Sequence, residues 1–179
     1  PPLRTSRALQ AIVGHREGHP FAPMRSSKGR SLGITMERDQ YAVKVYDKGR
    51  QYGLPYDLLR FELKYLKAAA FNRLGIFTVN DLLNPATWER LRARVMEIYG
   101  ELFIAEPSIH LASLTASQRT FVELARTPHY WQEMKRGARH KARARYADIV
   151  AKFAGRDLKA DLGGTIGAKL NDLLNVPSQ

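Results

Sequence analysis

Two segments of the chain alternate polar and apolar residues with a period of two, which is typical of half-buried β-strands. The first, residues 41–48, places four residues on one face: Ala42, Lys44, Tyr46 and Lys48. The second, residues 58–65, places three polar residues on one face: Arg60, Glu62 and Lys64. If both strands lie in one sheet with their apolar sides on the same core, these residues form a single polar sheet face. That face would carry a tyrosine, a carboxylate and several cations.

The pattern of the remaining chain predicts one further strand and mostly helices. A strand over residues 31–36 joins the strand at Tyr41 as a hairpin, whereas residues 18–31 are expected to form a loop. A first helix is predicted over residues 3–14. The other predicted helices cover residues 67–74, 86–102, 118–126, 129–136 and 138–154. Residues 158–174 are expected to contain one more helix after a break at Gly163–Gly164.

These elements predict an α+β protein in two regions. Residues 1–104 would form part of an antiparallel sheet with helices on one face. Residues 105–179 would form a helical, basic tail that contacts DNA. The change of character lies near residues 104–115, where the strand-bearing part of the sequence ends.

Composition sharpens the expected partner and excludes several chemistries. The chain has 29 lysines and arginines against 17 acidic residues, a net charge of +12, which favours a polyanion such as nucleic acid. Since there is no cysteine, disulfides, thiolate zinc sites and cysteine nucleophiles are excluded. No apolar run approaches the roughly 18 residues that a membrane span needs, and Pro1 does not open a signal peptide. We therefore expect a cytoplasmic protein without a membrane partner, either processed or part of a longer chain.

Tyr46 is the candidate nucleophile of the polar sheet face. A tyrosine that attacks a phosphodiester must lose a proton, although its ordinary pKa is about 10. Lys44 and Lys48 flank Tyr46 on the predicted strand, where they would favour the phenolate and stabilise charge on the phosphorus centre. The alternative is a structural tyrosine beside solvated lysines.

Glu62 is a tentative metal ligand. Mg²⁺ or Mn²⁺ at a nuclease site requires carboxylate or imidazole ligands, and one carboxylate cannot hold the ion alone. A carboxylate between Arg60 and Lys64 is otherwise a neutralised surface charge.

Residues 126–156 contain nine cations and only two acids, Glu133 and Asp148. Helix-borne lysines and arginines that release counterions from DNA would bind it with little dependence on sequence. The candidate DNA-binding residues are Arg60, Lys64, Lys135, Arg136, Arg139, Lys141, Arg143 and Arg145. The alternative is a solvated helix face.

Four motifs in order carry a family resemblance. The motifs are Val45-Tyr46-Asp47-Lys48, then Leu58-Leu59-Arg60-Phe61-Glu62, then a lysine-bearing helix closing on Leu74-Gly75-Ile76, then Asp81-Leu82-Leu83. Together, over residues 30–85, they resemble the rolling-circle replication initiators of filamentous phages and related plasmids, the gene II protein type.

The resemblance implies a metal-dependent endonuclease of the HUH type that nicks one strand at an origin in a bacterial host. Tyr46 would form a 5′-phosphotyrosine and free a 3′-OH, Lys48 would be the accompanying lysine, and Glu62 would support the metal or the fold. The implied partners are single-stranded or supercoiled origin DNA, a host helicase and a polymerase, with Mg²⁺ or Mn²⁺ as cofactor.

The sequence departs from the family in two places. Gln51 stands where the family often has an acid, and the family's upstream His and Asp metal motifs precede the start of this chain. His15 and His19 do not reproduce them. The alternative from another class is a non-enzymatic DNA-binding regulator of phage or plasmid replication. A tyrosine-recombinase fragment is a weaker option, because no Arg-His-Arg constellation is visible.

Overall fold

A computed structural model describes residues 4–174 and has an α+β fold with antiparallel sheets. The strands are β1 (Ile12–His15), β2 (Ala22–Arg25), β3 (Ser31–Glu37), β4 (Tyr41–Asp47), β5 (Leu59–Tyr65) and β6 (Leu102–Ile104). The helices are α1 (Thr5–Ala11), α2 (Lys48–Tyr52), α3 (Ala68–Asn72), α4 (Pro85–Glu101), α5 (Ala116–Ala125), α6 (Pro128–Gln132), α7 (Arg136–Phe153) and α8 (Leu158–Leu174). Short 3₁₀ turns occupy Val79–Leu83 and Leu111–Ser113. The predicted α+β class is confirmed.

The chain divides into two compact units that interleave along the sequence. The first unit combines the residues up to 21 with residues 101–162, and the second combines residues 22–100 with residue 163 onwards. Each unit contains its own antiparallel sheet. The predicted division between residues 104 and 105 therefore does not coincide with the division into compact units.

The second unit contains a four-stranded antiparallel sheet in the order β2-β3-β4-β5. β4 pairs with β5 so that Lys44 lies opposite Glu62 and Tyr46 lies opposite Arg60. The other face of β4 presents Val43 and Val45, which are buried. The predicted hairpin and the predicted pairing of the two alternating strands are thus confirmed.

The first unit has a core built on the two-stranded β1–β6 sheet and on α5, α6 and α7. Trp131 is 1% exposed, its ring centroid lies 3.9 Å from that of Phe103, and its indole N–H donates to the Ala125 carbonyl at 2.7 Å. The Tyr146 hydroxyl accepts the Glu106 main-chain N–H at 2.9 Å. Aromatic burial with satisfied polar atoms stabilises this unit.

Three local predictions differ from the structure. The predicted helix over residues 3–14 ends at Ala11, because Ile12–His15 are all buried and form β1. A fully buried strand lacks alternation and resembles a continued helix in sequence. β2 lies in the predicted loop, where Pro23 is tolerated because the strand is at the sheet edge. Lys48 begins α2 and does not continue β4.

The helix α8 runs through Gly163–Gly164, where a break was predicted. A Cβ atom on Gly163 would lie 2.9 Å from Cε1 of Tyr99, whereas no described atom lies within 4 Å of the position that a Gly164 Cβ would take. Tyr99 is buried and packs edge-on against Phe61. The absence of a side chain at Gly163 therefore allows α8 to lie close to the Tyr99 ring, and the glycine pair does not end the helix.

None of the helices formed by residues 4–174 is long and apolar enough to cross a membrane.

The two helical glycines give a matched test of this packing. Gly163→Ala forces a Cβ into the Tyr99 ring, and we expect it to lower the free energy of unfolding by about 1–3 kcal/mol. Gly164→Ala places a methyl group in open space on the helix and should raise the free energy of unfolding by up to about 1 kcal/mol. Urea denaturation measures both, and a Gly163→Ala variant as stable as Gly164→Ala would contradict the close approach.

Candidate functional site

The register of β4 on β5 gathers three polar side chains around one carboxylate. The Tyr46 hydroxyl donates to Oε2 of Glu62 at 3.1 Å. Lys44 Nζ lies 3.9 Å from Oε1 of Glu62, and Arg60 Nε lies 3.8 Å from Oε2. Glu62 is therefore positioned to receive the phenolic proton, with a cation on either side. We call Lys44, Tyr46, Arg60 and Glu62 the Tyr46 cluster.

The members of the Tyr46 cluster differ in exposure. Tyr46 is 5% exposed, whereas the side chains of Lys44, Glu62 and Arg60 are 31%, 32% and 51% exposed. The charged groups thus remain accessible to a polyanion, while the tyrosine is buried.

Gly33 is a site residue that the sequence patterns did not reveal. It lies directly opposite Tyr46 on β3, and a Cβ there would come within 2.5 Å of the Tyr46 Cβ and 2.2 Å of the Val45 carbonyl oxygen. Any larger residue would push β3 away from Tyr46. A glycine inside an otherwise regular strand is the signal that could have indicated such a close backbone approach.

Lys48 occupies a different position from the one predicted. Asp47 caps α2 by accepting the Arg50 N–H at 2.7 Å, so the chain leaves the sheet at Lys48. Lys48 Nζ lies 5.8 Å from the Tyr46 ring centroid and 4.1 Å from that of Tyr52. Lys48 therefore approaches the Tyr46 ring from α2 and does not share the strand face with Lys44. Lys64 is exposed on β5 opposite Ala42.

The described residues do not fit the predicted Mg²⁺ or Mn²⁺ ion. Within residues 4–174 no group of three histidine, aspartate or glutamate side chains could hold a metal ion. Glu62 faces a phenol, a lysine and an arginine, and such neighbours disfavour a cation. Glu62 thus accepts the hydrogen bond of Tyr46 and lies near two cationic side chains.

His15 forms an interior pair with Glu101. The His15 side chain is fully buried, with Nε2 2.8 Å from Oε2 of Glu101. Its Nδ1 accepts the Glu17 main-chain N–H at 3.2 Å, so Nε2 carries the proton given to the carboxylate. Glu101 also binds Arg16, whose Nη2 lies 3.1 Å from Oε1.

Arg139 is buried, in contrast to the exposed helix face expected of a DNA-binding residue. It is 7% exposed, and its guanidinium donates to the main-chain carbonyls of Trp131, Arg16 and Met134. Three of its five N–H donors are therefore used inside the first unit. This position gives Arg139 a structural role in the first unit.

The other predicted cations of α7 and its N-cap reach solvent to different degrees. Lys135, Arg136, Lys141 and Arg145 are exposed, and Arg145 stacks over the Phe121 ring at 4.4 Å. Arg143 is half-buried, and burial together with the nearby Arg16 lowers its pKa. Burial and the nearby Arg143 lower the pKa of Lys159 to about 8. The first unit therefore holds several cations partly out of water.

Arg139 and Lys141 provide a matched pair on α7. Arg139→Gln leaves buried carbonyls without donors, and we expect it to lower the free energy of unfolding by roughly 2–4 kcal/mol. Lys141→Gln removes the same charge at an exposed position and should change the free energy of unfolding by less than about 0.5 kcal/mol. Equal stabilities in urea, followed by tryptophan fluorescence, would show that the carbonyl contacts of Arg139 contribute nothing.

The lowered pKa of Lys159 predicts a pH dependence of stability. Its folded pKa of about 8 lies below the ordinary 10.5, so the unfolded chain binds more protons between these values and stability rises with pH there. From pH 7.5 to 9.5 the parent should gain about 1–2 kcal/mol more than Lys159→Met. A parallel dependence in the two proteins would contradict the burial of this amine.

No protein-family model matches the chain, and neither curated proteins nor solved structures show significant similarity to it.

Proposed function

We propose that the chain is a rolling-circle replication initiator that nicks and rejoins a DNA strand through Tyr46, as a partial nicking domain of the HUH type. The observation that carries this proposal is the Tyr46 hydroxyl hydrogen-bonded to Glu62 with Lys44 and Arg60 on either side of the carboxylate. A nucleophile bonded to a base, with cations nearby, is the arrangement that covalent phosphoryl transfer requires.

The reaction proceeds by exchange of one phosphodiester for another. The Tyr46 oxygen attacks the phosphorus as its proton passes to Glu62, and the bond from phosphorus to the 3′ oxygen breaks. The departing 3′ oxygen takes a proton from solvent, and a 5′-phosphotyrosine remains. Lys44 and Arg60 offset the charge on the phosphoryl oxygens. Because the bond energy is conserved in the phosphotyrosine, rejoining by a 3′-OH needs no ATP.

The rest of the chain supplies the affinity for the strand. Arg60 and Lys64 extend the positive potential along β5, and four of the cations predicted to bind DNA are exposed in the first unit: Lys135, Arg136, Lys141 and Arg145. The free 3′-OH would be extended by a host polymerase after helicase unwinding in the bacterial cytoplasm. Any Mg²⁺ or Mn²⁺ that the reaction uses would need ligands besides Glu62, such as the phosphate oxygens of the DNA and water.

Adduct formation tests the role of Tyr46. The chain is incubated with Mn²⁺ and single-stranded oligonucleotides that have a randomised centre and a 3′ fluorophore, because the fragment joined to tyrosine keeps the 3′ end. A fluorescent protein band on a denaturing gel should appear. Tyr46→Phe should abolish it, and Glu62→Gln should reduce it by about 10²–10⁴-fold.

Tyr52→Phe is the matched control, because Tyr52 lies on α2 and is 64% exposed. It should leave the band unchanged. A band that persists in Tyr46→Phe would refute the assignment of the nucleophile. The absence of a band from the parent chain as well would contradict the nicking activity.

The burial of Tyr46 favours a second candidate, a non-enzymatic DNA-binding regulator of phage or plasmid replication. In that protein the Tyr46–Glu62 hydrogen bond would stabilise the sheet, and the exposed cations would hold DNA in a salt-dependent way. Retained DNA binding without any adduct in the same assay would identify it.

A further inference from the structure

The first unit contains a cavity whose walls are mainly basic. It has a volume of about 540 Å³ and is lined by Arg16, Glu17, Arg136, Arg139, His140 and Arg143. The single acid, Glu17, has its carboxylate 3.4 Å from Nε2 of His19. The cavity therefore presents four guanidinium groups and an imidazole to whatever enters it.

The cationic side chains are held in place from two segments of the unit. Arg136, Arg139, His140 and Arg143 recur at spacings of three and four residues, so they share one face of α7. The Arg139 guanidinium is fixed by its three carbonyl acceptors, one of which belongs to Arg16. Arg16 is in turn held by Glu101, which also binds the buried His15. Arg139 is thus fixed by interior contacts and Arg16 by its ion pair with Glu101, whereas Arg136 and His140 are exposed side chains on the same helix face.

The charge balance of the cavity points to an anion. Arg143 is half-buried beside Arg16, and the repulsion between these like charges lowers its pKa together with burial. Glu101 offsets this repulsion, yet its carboxylate is already shared by His15 and Arg16. Bringing like charges together out of water is unfavourable. An anion placed between them would attract both cations and so offset their repulsion.

The start of α7 adds to the same effect. Its first turn contains no acidic residue, and Lys135 at the N-cap makes no side-chain cap within the described chain. The main-chain N–H groups of a helix start carry partial positive charge, which favours a negatively charged ligand.

We propose that this cavity binds a backbone phosphate of a nucleic acid strand. Guanidinium groups offer paired donors that match phosphate oxygens, and a cavity lined by several of them suits phosphate better than a single carboxylate. The cavity belongs to the first unit, so this site needs neither Tyr46 nor Glu62. The basic residues of α7 would then make one specific contact with a phosphate.

Arg136 and Lys141 provide a matched test of the site, because both are exposed on α7. Of these two residues, Arg136 lines the cavity and Lys141 is not among its described lining residues. Binding of a fluorescent single-stranded 20-mer is followed by anisotropy at several salt concentrations. Arg136→Gln should weaken binding about tenfold and lower the salt slope by about 0.7. Lys141→Gln removes the same charge and should weaken binding less than threefold, as expected of long-range attraction alone. Circular dichroism checks that both variants remain folded.

Two further measurements complete the test. Inorganic phosphate should displace the 20-mer from the parent more effectively than from Arg136→Gln. Equal losses of binding affinity in Arg136→Gln and Lys141→Gln would contradict a specific phosphate site. They would show that the chain attracts DNA only through its general positive charge. Tyr46→Phe should bind the 20-mer as the parent does, which separates a failure of this site from a failure of the strand-transfer proposal.

Discussion

The pairing of β4 with both of its neighbours is the constraint on which the Tyr46 cluster depends. Gly33 on β3 and Arg60 on β5 both lie opposite Tyr46, and Glu62 lies opposite Lys44. Because side chains alternate between the two faces, a shift of one residue would send Tyr46 into the apolar core and Val45 to the polar sheet face. The buried Val43 and Val45 resist such a shift. The hydrophobic packing of one face thus fixes the chemistry of the other.

The first unit shows how a basic sequence divides its cations between structure and binding. Arg139 ties α7 to the carbonyls of Trp131, Met134 and Arg16, and the His15–Glu101 pair holds Arg16. These interior contacts place further cations around a cavity, where they repel one another. Buried polar groups that are fully hydrogen-bonded can specify one arrangement of a site. The same arrangement leaves positive charge that a phosphate would neutralise.

Period-two alternation was sufficient to predict β4, β5 and the contact of Lys44, Arg60 and Glu62 with the face of Tyr46, since a half-buried strand shows its two faces directly in sequence. It did not show that Lys48 leaves the strand and begins α2. It could not reveal Gly33, whose role depends on a cross-strand contact, or β1, whose residues are buried on both sides. Counting cations could not separate Arg139 from Arg136, because burial is a property of tertiary packing. Gly163 and Gly164 predict a helix break for a related reason, because the packing of α8 on Tyr99 is visible only in the tertiary structure.

The measurement that bears most directly on the central claim is the identity of the residue that becomes joined to DNA. The chain is incubated with 3′-labelled single strands, the bound DNA is trimmed with nuclease to a short remnant, and the modified peptide is sequenced by tandem mass spectrometry. The structure predicts a nucleotide joined through its 5′ phosphate to Tyr46, the tyrosine that is hydrogen-bonded to Glu62. A nucleotide on an exposed tyrosine such as Tyr52 or Tyr56, with Tyr46 unmodified, would contradict it.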